Sequence, residues 1–477
     1  MITRPTREQL RALIERDPEA VIDLIEMLFD EIEKISTRIR LLEDRLAKNS
    51  ANSSKPPSSD SFTKKVKSLR KSSRRKPGGQ KGHKFETLRP VSNPDKTVIH
   101  ELSECTCGCD LSGCQKEQTH HQVFDIPEIK IEVTDHVVES AKCPSCGNIA
   151  RSVEDDQIGR PAQYGKNIQS LSLYLMNYQL LPYDRTREFF RDLAGINLSA
   201  GTLNNWNRRA FKSLATFEAE ARLRILASPV IHNDETGARV DSKLHWLHVA
   251  STENLTLLNF HPKRGREAMN AIGILPYYKG ISAHDYWRAY YGFDFDNALC
   301  NAHLLRELLF LYEEHSEKWA SQMSALLLEI KEAVDAAKRA GKKSLSPKRL
   351  YIFNEKYSRI IKTGRKKHPE CTDKKAGRGR KKRSLAGNLL LRLETRRDDI
   401  LRFAKNFKVP FDNNQAERDL RMSKAKQKIS GCFRSFEGAM IFARIRSYIS
   451  TSRKNKIQIL DSLRSAIAGN AIQAVFC

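Results

Sequence analysis

The sequence lacks any apolar run long enough to cross a membrane as a helix, which takes about 20 residues. Its longest uncharged stretch, residues 168–183, is interrupted by glutamine, serine and asparagine and predicts a buried helix instead. The first ten residues, MITRPTREQL, are charged from the fourth position and contain no signal-peptide core. These absences predict a protein of the cytoplasm with no membrane partner.

Cysteine is scarce outside one short segment, since six of the ten cysteines lie between residues 105 and 146. The cytoplasm is reducing, so this cluster favours a metal site over a disulfide framework. Cys143 and Cys146 form a CxxC turn, closed by Gly147, whose two thiolates suit one tetrahedral Zn²⁺. A redox pair and inert thiols are the alternatives.

The other half of this zinc site is predicted upstream. Cys105 and Cys107 are the preferred pair, because a glycine follows Cys107 as one follows Cys146. Cys109 and Cys114 stay open as alternative ligands. Alternating apolar residues at 122–126 and 130–138 predict the short strands of a zinc ribbon.

Acidic residues are too few to balance the bases, since 83 Lys and Arg face 57 Asp and Glu and leave a net charge of +26. This surplus indicates a polyanionic partner, either nucleic acid or an acidic membrane surface. Residues 53–90 contain 12 bases and two acids but few apolar residues, which predicts a flexible arm that follows a nucleic-acid phosphate backbone. A merely solubilising tail is the alternative. Its Arg74, Arg75 and Lys76 resemble arms that lie in a minor groove.

A second basic segment lies further along the chain. Residues 362–383 contain eleven bases and two acids, and their glycines, from Gly364 onward, predict a loop.

Residues 1–48 predict a coiled coil. One apolar seam recurs at steps of four and three residues, which keeps it facing a partner helix. The seam consists of Leu28, Ile32, Ile35, Ile39, Leu42 and Leu46. A second copy of the chain is the expected partner, and packing of an amphipathic helix onto its own chain is the alternative.

Residues 185–209 have the proportions of a helix-turn-helix. A helix at 185–194 is followed by a break at Gly195 and by a second helix at 199–209, which Ser199 would cap. Ordinary packing of two helices is the alternative. The second helix carries residue types that contact base edges, namely Asn204, Asn205, Arg208 and Arg209.

Two carboxylates follow apolar strands in the next region. Residues 228–234 predict a strand that ends at Asp234, and residues 280–284 predict a strand that leads into Asp285. Between them lie two predicted strands (244–250 and 255–260) and a helix (264–273). In a sheet with this β-β-β-α-β order the first and fourth strands can be neighbours. Because adjacent carboxylates repel unless a cation neutralises them, we predict a site for Mg²⁺ or Mn²⁺.

A two-metal site needs a third acid. Residues 412–421 predict a helix capped by Asp412, with Glu417 near its second turn. Asp419 on the same helix is the rival candidate, as Glu235 is for Asp234. An ion pair with Arg421 is the alternative role of Glu417, so the local pattern leaves these choices open.

Short motifs recur along the chain in a specific order: NSSKPPSSD at 52–60, GGQKGH at 78–83, the split cysteine cluster, HNDET at 232–236, DYWRAY at 285–290, NAHLLR at 301–306 and DNNQAER at 412–418. Over nearly its whole length the chain resembles the insertion-sequence sixty-six family of bacterial transposases. The resemblance implies an acidic triad of Asp234, Asp285 and Glu417 that binds Mg²⁺ or Mn²⁺ in a ribonuclease-H-like core. It also implies double-stranded DNA as partner, and accessory proteins encoded by the same element. His303 and Arg306 are expected near the catalytic face.

The predicted protein is multidomain α+β: a coiled-coil helix (1–48), a basic linker (49–90), a zinc ribbon (91–157), a helical DNA-binding region (158–227), a ribonuclease-H-like catalytic core (228–423) with a helical insertion (304–407), and a C-terminal helical region (424–477). The expected activity is cleavage and strand transfer at the ends of an insertion sequence, in a nucleoid-associated protein. A ribonuclease-H-like nuclease that cuts without joining, and an inactive transposase-derived DNA-binding protein, are the alternatives.

Overall fold

The computed structural model describes residues 6–53, 88–152, 162–369 and 383–471. They form two compact units. The larger unit contains residues 6–53, 162–189, 197–369 and 383–471, and the smaller contains residues 88–152 with Phe190–Ile196. None of the helices in these ranges combines the length and the apolar character that crossing a membrane requires.

The N-terminal region folds as two helices, α1 (Arg7–Arg16) and α2 (Pro18–Ala47). Asp17 caps α2 by accepting a hydrogen bond from Ala20 N (3.1 Å), and proline occupies its first position, where no backbone donor is needed. The six predicted seam residues all lie on α2 and are 49–78 % exposed. The seam is therefore not packed against the described part of its own chain.

The smaller unit contains a short hairpin, in which β1 (Ser140–Lys142) pairs antiparallel with β2 (Ile149–Arg151). The hairpin brackets the Cys143–Cys146 turn. The strands predicted at residues 122–126 and 130–138 are wrong: these residues adopt no strand, and Val123, Ile126 and Val133 are 80–91 % exposed. Alternating apolar residues specify a sheet when one face is buried, and the described part of this unit offers them no covering layer.

Residues 166–226 are mostly helical. They form α3 (Lys166–Leu173), which continues into a π-helical turn at Tyr174–Tyr178, then α4 (Tyr183–Ala194), α5 (Ala200–Ser213) and α6 (Ala215–Leu226). The predicted helix, break and second helix are confirmed. Gly195 adopts φ +66° at the break, and Ser199 caps α5 by accepting a hydrogen bond from Thr202 N (2.9 Å).

A five-stranded sheet occupies the centre of the larger unit. Its strands are β3 (Val230–Val240), β4 (Lys243–Ser251), β5 (Thr256–His261), β6 (Ile281–His284) and β7 (Asp296–Leu299), with α7 (Arg266–Ile272) before β6. The strand order is β5-β4-β3-β6-β7; β4 is antiparallel to β3 and β5, and β6 is parallel to β3 and β7. The predicted β-β-β-α-β order and the pairing of its first and fourth strands are confirmed, whereas β7 was not predicted.

The first strand of this sheet is longer than predicted. β3 was expected to end at Asp234, but it continues to Val240 and forms a hairpin with β4 through Asp241 and Ser242. These two residues adopt φ +48° and +59°, the left-handed geometry that suits a two-residue hairpin turn. Ala238 and Val240 are buried, so the alternation of the strand persists beyond Asp234. Asp234 therefore lies in mid-strand.

Helices follow β7 and share one apolar core with β6 and β7. They are α8 (Asn301–His315), α9 (Lys318–Arg339), α10 (Pro347–Lys367), α11 (Leu385–Thr395) and α12 (Arg397–Lys405). The predicted break at Gly364 is wrong, because Gly364 lies inside α10, where a Cβ would stand 2.6 Å from Leu390 Cδ2. The glycine serves close packing of α10 on α11. Residues 370–382, the centre of the predicted basic loop, lie outside the described residues.

The C-terminal helices are α13 (Asn414–Ser430), α14 (Phe436–Lys454) and α15 (Ile459–Ile467). α13 packs on β3 and β4, and α14 packs on β5. Ser447 and Thr451 of α14 accept hydrogen bonds from backbone N–H groups of this edge strand (2.9 and 3.1 Å), which leaves them unavailable for pairing with another strand. α13 is continuous through residue 423, so the predicted end of the catalytic core falls inside a helix. Its cap is Asn413 rather than Asp412, which places Glu417 in the first turn.

Candidate active site

The register of the sheet places Asp234 and Asp285 side by side. β3 and β6 pair in parallel with a constant offset, from Val230 opposite Ile281 to His232 opposite Ala283. The same offset sets Asp234 opposite Asp285, the first residue after β6. Asp234 in β3 and Asp285 directly after β6 therefore lie beside each other, close enough for the charge of Asp285 to raise the pKa of Asp234. This is the juxtaposition that the strand order predicts.

Each aspartate is held by the backbone N–H of a residue that follows it. Asp234 Oδ1 accepts a hydrogen bond from Glu235 N (2.8 Å), and Asp285 Oδ1 accepts one from Trp287 N (2.9 Å). Burial, together with the negative charges of Glu235 and Asp285, raises the pKa of Asp234 well above its ordinary value. A cation at this position would stabilise the charged form.

The third acid, Glu417, approaches the aspartates from α13, and its charge adds to the raised pKa of Asp234. Its Oε1 lies 3.6 Å from Arg306 Nη2 and 3.8 Å from His303 Nε2, both on α8. Burial and the neighbouring Arg306 lower the pKa of His303 to about 4, so the cation beside Glu417 at neutral pH is Arg306. The expected placement of His303 and Arg306 near the acidic residues is confirmed.

The two rival acids are already neutralised by other side chains. Glu235 is buried, and its Oε1 accepts hydrogen bonds from Arg264 Nε (2.9 Å) and Nη2 (2.7 Å), while Tyr290 donates to Oε2 (2.6 Å). Asp419 Oδ2 accepts a hydrogen bond from Lys454 Nζ (2.8 Å), within an ion pair whose side chains are only 8 and 11 % exposed. These contacts favour Asp234 and Glu417 over their rivals as metal ligands.

Asn413, which the sequence pattern did not single out as a functional residue, connects α13 to β3. Its Nδ2 donates to Asn233 O (2.8 Å), and its Oδ1 lies 2.9 Å from His232 Nδ1. Its backbone N–H reaches Cys300 Sγ (3.1 Å) at the start of α8. Because His232 and Asn233 immediately precede Asp234, Asn413 fixes the helix that carries Glu417 relative to the strand that carries Asp234.

The segment after α2 also reaches this region. Ser50, Asn52 and Ser53 are buried, and Asn52 Nδ2 donates to Ala47 O (3.1 Å) to close a turn. Arg306 Nη1 donates to Ser53 O (3.5 Å), so Arg306 contacts both Glu417 and the start of the basic arm. The first five residues of the predicted linker (49–90), residues 49–53, are thus ordered in a turn.

Carboxylate oxygens are the ligands that Mg²⁺ and Mn²⁺ prefer, and the three acids supply them. Burial raises the pKa of both Asp234 and Glu417, a penalty that a cation would offset. Among the residues that the structure describes, no three or more His, Cys, Asp or Glu side chains already converge on one metal position. The oxygen ligands of these three acids fit a hard divalent cation. For all three to bind the same cation, Glu417 would have to lie closer to the two aspartates.

The cysteine segment forms two similar turns. In the downstream turn Gly147 N donates to Cys143 O (2.9 Å), with Gly147 at φ +74°. In the upstream turn Gly108 N donates to Cys105 O (2.8 Å), with Gly108 at φ +85°. The upstream turn is the downstream one shortened by a residue, which explains its departure from the CxxC spacing.

This equivalence matches Cys105 and Cys107 with Cys143 and Cys146. The backbone N–H of Cys107 lowers the pKa of Cys105, and that of Cys146 lowers the pKa of Cys143. Cys109 O accepts a hydrogen bond from Cys105 N (2.9 Å), the role that Asn148 O plays downstream. The two turns therefore present matching cysteine pairs, although the described residues of the unit bring no three of these thiols to one metal position.

The candidate DNA-binding residues of α5 differ in their surroundings. Asn205 and Arg209 are exposed. Arg208 is also exposed but forms an ion pair with Glu437 (2.7 Å), and Asn204 accepts a hydrogen bond from Tyr183 OH (3.4 Å). Asn205 and Arg209 are thus the better placed for DNA.

The neighbouring Asn207 has a structural role, since it is buried and its Oδ1 accepts a hydrogen bond from Asn177 Nδ2 (2.8 Å). Arg74, Arg75 and Lys76 of the basic arm lie outside the described residues.

Comparison with protein families gives two matches along the chain. Residues 3–89 match a family of unknown function (DUF6444), and a search of the curated proteins finds no match. Residues 161–441 match the family described as Transposase IS66 family. That match covers more than half of the 477 residues, including the whole sheet, the helices from α8 to α12, and α13 with Glu417. The chain therefore belongs to the IS66 family of transposases.

Proposed function

We propose that this transposase cleaves DNA at the ends of its insertion sequence and joins the cut ends to a target, using Asp234, Asp285 and Glu417. The observation that carries the proposal is the register of β3 against β6, which sets Asp234 beside Asp285. The strand order, with an antiparallel β3–β5 meander and parallel β6 and β7, supports a ribonuclease-H-like core. The engagement of Glu235 and Asp419 by Arg264 and Lys454 supports the choice of acids.

Cleavage and joining would be the same kind of displacement at phosphorus. In cleavage, water forms a bond to phosphorus at the element end and the P–O3′ bond breaks, which leaves a 3′-hydroxyl. In strand transfer, this hydroxyl forms a bond to a target phosphorus while a target P–O3′ bond breaks. The number of phosphodiester bonds is unchanged in the second step, so joining needs no external source of energy.

The triad would hold the divalent cations, which when bound stabilise charge on the leaving oxygen and lower the pKa of the attacking hydroxyl. The backbone N–H groups of Glu235 and Trp287 orient the two aspartates. Arg306 carries a permanent positive charge beside Glu417, where its planar guanidinium can bind a phosphate oxygen. Its contact with Ser53 brings the start of the basic arm to the same place.

We also propose one structural Zn²⁺, bound by Cys105, Cys107, Cys143 and Cys146, with no part in cleavage. The matching hydrogen-bonded turns support this set. Many apolar side chains of residues 88–152 are exposed, so the smaller unit has little core of its own. Thiolate coordination would supply the missing folding free energy.

Double-stranded DNA is the proposed partner, held by the basic segments at 53–90 and 362–383 and read in part by α5. A transposase must bring two element ends together, and the exposed seam of α2 suits self-association with a second copy for this purpose. Accessory proteins encoded by the same element are further candidate partners.

The test uses the full chain, Mg²⁺ and labelled DNA carrying the element ends, scored for nicking and for joining. Asp234→Asn, Asp285→Asn and Glu417→Gln should each abolish both products and retain DNA binding, because a neutral amide cannot hold divalent cations at a developing negative charge. Asp294→Asn is the matched control, since this aspartate is 93 % exposed and pairs with Lys279 on the surface. It should behave as wild type.

The same experiment separates the alternatives. Metal-dependent nicking without joining, even on a precut end, would indicate a nuclease. DNA binding without any nicking would indicate an inactive transposase-derived protein. Wild-type cleavage by all three triad variants would overturn the proposed site.

A further inference from the structure

Two residues orient the proposed catalytic aspartates, and both of them contact Arg264. The Glu235 N–H holds Asp234, and the Trp287 N–H holds Asp285. The Glu235 carboxylate accepts two hydrogen bonds from the Arg264 guanidinium (2.9 and 2.7 Å). The Trp287 ring centroid lies 4.2 Å from Arg264 Cζ. Arg264 thus joins the residue that holds one aspartate to the residue that holds the other.

The guanidinium is itself held by further groups. The Trp246 ring, on β4, lies 4.8 Å from Arg264 Cζ, so two indoles contact the same cation. Tyr290 donates to the second oxygen of Glu235 (2.6 Å) and packs edge-on against Trp287, with ring centroids 6.1 Å apart. The cluster consists of Arg264, Glu235, Trp287, Trp246 and Tyr290. It extends from the interior of β3 and β4 to the segment after β6.

We propose that Arg264 is a positioning residue that fixes the separation of Asp234 and Asp285 and so sets the affinity of the site for divalent cations. The inference rests on the proposed function of these two aspartates. Groups that orient metal ligands matter nearly as much as the ligands, and their loss typically costs about 10- to 100-fold in metal affinity or activity. A lysine would keep the charge of Arg264 but not its planar fork or its stacking on two rings.

The test compares Arg264→Met with Arg266→Met in the full chain. Arg266 is the matched control, because it lies two residues away and donates instead to Gly292 O (2.8 Å), with its guanidinium 5.6 Å from the Phe293 ring. The first measurement is the Mn²⁺ concentration that gives half-maximal cleavage of a labelled element end. The second is the Mn²⁺ concentration needed to raise the Tm of the DNA-free protein, a readout that does not depend on turnover.

Arg264→Met should require about 10- to 100-fold more Mn²⁺ in both measurements, while DNA affinity without metal stays at the wild-type value. Arg264→Lys should shift in the same direction, and Arg266→Met should match wild type. Because Arg264→Met leaves the Glu235 carboxylate buried without its cation, that variant can fail to fold. The double variant Arg264→Met/Glu235→Gln removes both charges and should show the same raised Mn²⁺ requirement.

A wild-type Mn²⁺ requirement in the folded Arg264 variants would overturn the inference and leave the proposed function standing. Loss of DNA binding with an unchanged Mn²⁺ requirement would also overturn it, and would make Arg264, which is 37 % exposed, a phosphate contact. If instead Asp234→Asn, Asp285→Asn and Glu417→Gln all cleave as well as wild type, the proposed site itself fails. The three results are distinguishable in one set of variants.

Discussion

Asp419→Asn should destabilise the protein and spare cleavage, whereas Glu417→Gln should abolish cleavage and spare stability. The two acids lie two residues apart on α13 but face different partners. Asp419 pairs with Lys454 in a buried contact, and burial lowers the pKa of Lys454, which reflects the poor solvation of its charge. Glu417 is 31 % exposed and contacts Arg306 at 3.6 Å.

The expected magnitudes follow from these surroundings. Removing one partner of a buried ion pair costs about 3–5 kcal/mol, because the remaining charge stays buried without compensation. Lys454 keeps two acceptors, Thr252 O (2.9 Å) and Leu255 O (2.8 Å), so the loss for Asp419→Asn should lie near the lower end, about 3 kcal/mol. The longer, partly exposed pair at Glu417 should contribute less than about 1 kcal/mol.

The assay measures both properties on the same preparations. Urea denaturation followed by tryptophan fluorescence gives the free energy of unfolding, and Mg²⁺-dependent nicking of labelled element ends gives the activity. Nicking is measured without urea, under conditions in which the Asp419→Asn variant remains folded. Loss of nicking in folded Asp419→Asn, together with normal nicking in Glu417→Gln, would refute the assignment and make Asp419 the third acid.

Four further predictions concern the other parts of the chain. Purified protein should contain about one zinc per chain by native mass spectrometry, and a strong chelator or Cys143→Ser should unfold residues 88–152 alone; a zinc content of zero contradicts this. Neutralising five bases within residues 64–84 should weaken binding to all DNA and lower the log–log salt slope by about 0.9 per lost phosphate contact. Asn205→Ala should instead reduce the preference for element ends over random DNA by about 1–3 kcal/mol, and the opposite pattern would assign base recognition to the arm. Ile35→Lys in the α2 seam should yield a smaller species in sedimentation velocity, whereas Thr37→Lys, on the opposite face, should not; equal behaviour of both variants would exclude the seam as the interface.

Much of the secondary structure was predictable because its signals are local. The alternation of apolar residues predicted β4 and β5, and the short segments at 264–273 and 280–284 predicted α7 and β6. Ser199 was recognisable as a cap for the same reason. The proximity of Asp234 and Asp285 was predictable from the strand order, because β6 pairs with β3 in parallel.

Local signals failed where burial depends on distant parts of the chain. Residues 122–138 alternate like strands, yet their apolar side chains are exposed. Gly364 resembles a helix breaker, yet it lies within α10 because Leu390 packs against it. The Asp241–Ser242 turn contains no glycine or asparagine, the residues that usually indicate a hairpin in a sequence. The pairing of β3 with β4 imposes the positive φ angles of these two residues.

The residue types that point to the chemistry are local features of this sequence: a carboxylate after an apolar run, cysteines at turn spacing, and bases clustered in two segments. Which carboxylates are available for chemistry depends on partners that folding supplies. Arg264 lies 29 residues from Glu235, Lys454 lies 35 residues from Asp419, and Asn413 reaches back 180 residues to Asn233. A buried carboxylate that has a cationic side chain beside it is neutralised, whereas a buried carboxylate without such a neighbour bears its negative charge at a cost in free energy. The distinction between a structural acid and a metal ligand therefore arises only once the tertiary contacts form.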